Sequence, residues 1–171
     1  MSATRTMGIN VTDVASSTDG AALPLGFIYR EPAASGDLGE KHWIYVYNDD
    51  SVDFAEGHII MRDAGTTTYD GVLTPGNADV PALRIIGVAQ HAIAAGSYGF
   101  ILRKGIGEVQ KDAVATAADV TLIASDVGTA QAGRACIDSG GGTSDVFAFA
   151  TEAAAGTSGG EKITCMISCV G

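Results

Sequence analysis

Apolar and polar residues alternate along this chain in short stretches, punctuated by Gly, Pro, Asn, Asp and Ser. A period of two puts successive side chains on opposite faces of a strand. The strongest such signal is residues 42–48 (HWIYVYN), which are aromatic or β-branched almost throughout. Trp43, Tyr45 and Tyr47 fall on one face of it, and Ile44 and Val46 on the other. Further strands are predicted at 23–30, 52–62 with a break or bulge at Gly57, 83–90, 97–103, 105–109, 119–124, 134–138, 146–151 and 161–170. The runs 83–90 and 97–103, joined by an Ala-rich loop ending at Gly96, read as a hairpin. Residues 32–40, 63–82 and 139–144 read as polar loops. The Ala-rich stretch 112–118 predicts one or two helical turns. No longer segment carries the apolar stripe of an amphipathic helix.

Many short strands with turn signals every 8–12 residues or so predict an all-β fold, a compact barrel or sandwich of short antiparallel strands. Residues 1–22 are rich in Ser, Thr, Ala and Asp without a sustained period, and predict an extended N-terminal arm before a single β domain at 23–171. One pattern occurs twice. Gly87-Val88-Ala89 leads through Ala92–Gly96 into a strand, and Ala148-Phe149-Ala150 leads through Ala153–Gly156 into another. A structural duplication and the Ala/Gly-rich composition both account for it.

Composition sets the class. The chain has 171 residues, 46% hydrophobic and 18% charged, which excludes a disordered tail and suits one domain. There are 23 glycines and only 4 prolines, with no collagen period. Ten basic residues against 20 acidic ones give a net charge of −10. With no basic cluster beyond Arg103-Lys104, no nucleic-acid partner is expected. No run approaches the ~18–20 apolar residues of a membrane helix, so no membrane partner is expected. Residues 1–8 lack the apolar core of a secretory signal, which points to synthesis in a cytoplasm.

The search for chemistry excludes several reactions. There is no G-x-S-x-G nucleophile elbow and no P-loop, and Gly105-Ile106-Gly107 lacks the third glycine of a dinucleotide site. The acidic turn 48–53 has no EF-hand register. Glu56 and His58, two apart, would share a strand face as an acid–base pair or as two exposed polar residues. His42, His58 and His91 have no ligand-like spacing. Cys165 and Cys169 lie about 13 Å apart in a strand, too far to bridge, and read as buried thiols. No catalytic residue, cofactor or metal is expected, and the chain is not expected to be an enzyme. The bunched aromatics Trp43, Tyr45 and Tyr47 are either core or a partner contact, and are the interface candidates.

The segments Ile85-Ile86-Gly87-Val88-Ala89-Gln90, Ala94-Ala95-Gly96 and Gly105-Ile106-Gly107-Glu108-Val109 resemble those of tailed-bacteriophage capsid decoration (cement) proteins. The later run from Phe147 to Gly156, and the strand that reaches Cys169, fit the same pattern, so the resemblance covers about residues 83–170. It implies a β-rich virion protein that sits on the outer capsid surface as a homotrimer, bound to the major capsid protein and made in the host cytoplasm. Rival expectations are a tail-tube, tail-fibre or head-fibre component, and a small carbohydrate-binding β domain that stacks sugars on Trp43, Tyr45 and Tyr47.

Overall fold

The computed structural model describes residues 8–33, 39–65, 69–76, 80–125, 132–137, 146–156 and 159–171. Its described strands are β1 (Ala15–Ser16), β2 (Ile28–Glu31), β3 (Lys41–Asn48), β4 (Ile59–Arg62), β5 (Asp70–Leu73), β6 (Ile85–Val88), β7 (Ser97–Lys111), β8 (Thr121–Ala124), β9 (Ala135–Ile137), β10 (Ala148–Ala150) and β11 (Glu161–Ser168). One 3-10 turn, Ala82–Arg84, precedes β6. The fold is all-β, as the alternation predicts. The sheet closes on itself and forms a barrel, which decides between the two predicted architectures.

Closure happens twice. β3, β5, β4, β6 and the first half of β7 pair in a ring. The second half of β7 pairs with β11, then β10, β8 and β9, and β9 returns to β7. The two rings share β7. Every pairing in the first has a counterpart of the same direction in the second, including the parallel closures β3–β5 and β7–β9. The isolated bridge Phe54–Ile93 is matched by Thr116–Ala154. Equivalent positions lie about 62 residues apart, as Phe54 does from Thr116 and Arg62 from Ala124. The doubled sequence pattern is therefore a duplicated ring: the two small loops hold Ile93 and Ala154, the matching bridge residues.

The backbone conformations repeat too. Gly57 has φ +87°, and its N–H donates to Ala89 O. Its counterpart Asp119, at φ +62°, donates to Ala150 O. Among the described residues Asp119 is the single non-glycine in this left-handed region, where Asp is one of the tolerated types. It stands there because the ring needs that turn at that place.

Sequence and structure differ at five places. In the predicted strand 23–30 only the part from Ile28 belongs to β2, and Gly26 (φ +80°) turns the chain before it. β7 is one strand of 15 residues, not two. Gly105 (φ +120°) bends it at the junction of the rings, where a Cβ would lie 3.0 Å from Glu40 O. Within the predicted strand 52–62 only Ile59–Arg62 is a strand, and Gly57 turns the chain before it. The stretch 112–118 forms no helix. Its amides bond across to the second ring instead, Asp112 N to Ala135 O and Thr116 N to Ala154 O. The polar stretch 63–82 contains β5, whose Asp70-Gly71 gives no strand signal. Residues 1–7 and the whole of the predicted loop 139–144 lie outside the described residues.

The interior of the first ring is apolar: Ile44, Val46, Phe54, Ile60, Ile86 and Ile101 are wholly buried together. A second, larger cluster starts on the outer face of that ring with Trp43, Tyr45 and Phe100. It runs on into Val109, Leu122 and Cys165 of the second ring. Residues 8–27 lie over its near end: Ile9, Val11, Leu23, Leu25 and Phe27 pack on it, and β1 pairs with Ser97 and Tyr98.

Candidate binding surface

The aromatic stripe packs against this chain's own N-terminal segment. Trp43 and Tyr45 are 6% and 2% exposed. The Trp43 indole donates to Glu31 Oε2 at 2.8 Å, and the Tyr45 hydroxyl accepts from Ala22 N at 3.3 Å. The Tyr45 ring lies 5.0 Å from that of Phe100, and burial pushes its hydroxyl pKa up. Tyr47 is half-buried, 4.9 Å from the Tyr98 ring. A half-open apolar cavity of about 250 Å³ remains between this stripe and the segment over it, lined by Ile9, Val14, Leu23, Tyr45 and Phe100.

The acidic turn after β3 is a joint of the first ring. Asp50 Oδ2 accepts from Leu73 N, Asp53 Oδ1 accepts from Ala95 N, and Asn48 Nδ2 donates to the carbonyls of Val52 and Ile93. Among the described residues no group of three His, Cys, Asp or Glu is placed to hold a metal ion. Glu56 and His58 do not share a face, because Gly57 turns the backbone between them. Glu56 pairs with Lys162 of β11, while His58 Nδ1 accepts from Ala55 N. Cys136, Cys165 and Cys169 are buried, and burial pushes the thiols of Cys165 and Cys169 up to about 12. At that pKa neither supplies a thiolate.

Two histidines are tied into the fold. His91 Nε2 lies 3.0 Å from Val11 O and so holds the N-terminal segment. Burial lowers the pKa of both His58 and His91 from 6.5. Arg134 lowers His58 further, while Glu56 opposes the shift at His91. The folded chain then binds fewer protons than the unfolded one once pH drops below about 6.5. The contribution of these neutral rings is present in full above that pH and is lost as pH falls toward the folded values. The thermal midpoint is expected to fall between about pH 7.5 and 5.5. In the double variant His58→Gln, His91→Gln this slope should flatten. An equal slope in that variant would remove the histidines as its cause.

At the far end of each ring sits a buried polar plug. In the first it is Asn48. In the second the equivalent residue is Lys111, 1% exposed. Its ammonium donates to Val114 O at 2.9 Å and Ala155 O at 3.0 Å, and lies 3.1 Å from a Glu161 carboxylate oxygen. Next to it Ser125 Oγ donates to Asp112, which also faces Arg134 at 3.9 Å. Lys111, Asp112 and Ser125 are closed off from solvent and Glu161 is about a third exposed, and the lysine supports backbone carbonyls.

The open apolar face is elsewhere. On the outside of the second ring Ile106, Met166 and Phe149 stand side by side on β7, β11 and β10. Phe149 is 46% exposed and Met166 38%. The matching residues of the first ring, Trp43, Leu102 and Val88, are likewise cross-strand neighbours and are buried. Leu102 packs over Gly107, where a Cβ would lie 2.5 Å from it. The sequence carries a signal for this face: in residues 162–169, Ile163, Cys165, Ile167 and Cys169 alternate with Lys162, Thr164, Ser168 and one apolar intruder, Met166.

No protein-family model matches this chain, and neither does any curated protein.

Proposed function

We propose that this chain is a non-enzymatic structural protein that binds the major capsid protein and stabilises the outer surface of a phage capsid. The observation that carries the reading is the duplicated, strand-sharing ring, whose buried polar groups are taken up by its own backbone. The residues that resemble decoration proteins support it. They lie on β6, on the turn at Gly96 (φ +70°) and on β7, the strand that the two rings share. A sugar-stacking platform needs exposed rings, and Trp43 and Tyr45 are covered, so the geometry favours the capsid reading over the carbohydrate one.

A ligand that binds only the assembled shell stabilises it by mass action. The test is co-sedimentation with shells assembled from the major capsid protein of the same genome. The chain is expected to pellet with assembled shells, to ignore unassembled subunits and to raise the temperature at which shells fall apart. Equal binding to free subunits, or none to shells, would defeat the reading.

A further inference from the structure

We propose that the open face of the second ring binds a second copy of this chain across a two-fold axis. The face has three rows. Ile106, Met166 and Phe149 form the apolar middle row. One step along the strands, about 7 Å away, lies a basic and polar row, Lys104 with its partner Ser168. One step the other way lies an acidic row: Glu108 opposite Thr164, and Glu152, whose carboxylate accepts from Thr164 N at 2.8 Å. Lys162, a further step on, is taken by Glu56.

A two-fold axis laid along the apolar row turns the face onto itself. It sets Met166 on Met166 and Phe149 on Phe149. It also brings Lys104 of one copy over Glu108 of the other, and Ser168 over Thr164, on both sides of the axis. Such self-complementarity is what an isologous contact requires. Two chains of net charge −10 repel in general, so an acidic row that meets a basic one fixes both the contact and its direction. The same three ring positions in the first ring already form a packing face inside the chain, as Trp43, Leu102 and Val88. This arrangement differs from the threefold one implied by the resemblance, and it does not rest on the capsid reading.

The test is molar mass by light scattering of the full chain over a concentration series. Wild type should approach twice 17.3 kDa. Phe149→Ser should raise the dissociation constant about 30-fold, as loss of a central apolar anchor does. Val52→Ser, at an exposed residue of the first ring, should leave it unchanged. Lys104→Glu and Glu108→Lys should each weaken association, and the two together should restore it. A mass that stays at that of one chain, a mass three times that of one chain, or a double reversal that fails to restore association would overturn the proposal. Thermal unfolding of each variant identifies any that fail to fold. Because no capsid is present, the result is separate from that of the sedimentation test.

Discussion

Lys111→Ala is expected to lower the free energy of unfolding by about 2–5 kcal/mol, the range for a long core side chain cut back to alanine, with two buried carbonyls left unpaired. The Lys111 ammonium satisfies the carbonyls of Val114 and Ala155 and faces Glu161. Alanine leaves two buried acceptors and a carboxylate without their cation, and also opens the space held by the lysine stem. The total stability of a domain this size is about 5–15 kcal/mol, so the variant should be near the edge of folding. Lys111→Met keeps the stem and removes only the charge, and should recover part of the loss. Urea unfolding checks both, with the m-value held constant. If the alanine variant loses under about 1 kcal/mol, the plug is not what closes the second ring.

The identity of this plug was not legible in the sequence, and the reason is physical. Lys111 follows the alternating run 105–109 and precedes Asp112, so it reads as an exposed strand end. Its burial depends on Glu161, fifty residues on, and on the carbonyl of Ala155. Long-range closure of this kind leaves no local trace. The parallel pairings β3–β5 and β7–β9 are hidden for the same reason, and β5 itself contains Asp-Gly. What local chemistry dictates was readable. The alternation in 42–48 correctly divides Trp43, Tyr45 and Tyr47 from Ile44 and Val46, because a strand has no other way to place them. It does not say which face lies inside the barrel. Both turned out to be covered along most of the strand, Ile44 and Val46 by the ring, Trp43 beside Glu31 and Tyr45 by residues 8–27. The Gly105-Ile106-Gly107 punctuation suggested a break between two strands. The backbone bends there and continues, because the glycine conformation serves the junction of two rings rather than an end.

The two rings meet one packing requirement with different residues, and this makes the second large effect predictable. At matching places the first ring has Asn48, Phe54 and Ile93, and the second has Lys111, Thr116 and Ala154. A short polar plug goes with two bulky apolar bridge residues, and a long one with two small residues. Phe54 is wholly buried, so Phe54→Ala is expected to cost about 3–5 kcal/mol, the usual range for a core phenylalanine. Adding Asn48→Lys offers a stem that could enter the vacated space. Its charge, however, would lack the carboxylate that Glu161 gives Lys111, because Ser97 stands at that place. The double variant should therefore be no more stable than Phe54→Ala alone. Adding Ser97→Glu supplies the carboxylate, and this triple variant should recover about 1–3 kcal/mol, the worth of hydrogen bonds to a buried charge. Chemical unfolding of the three variants in order measures this. Recovery at the double would mean that volume alone sets the exchange, and no recovery at the triple would mean that the rings match in topology but not in how their ends are closed.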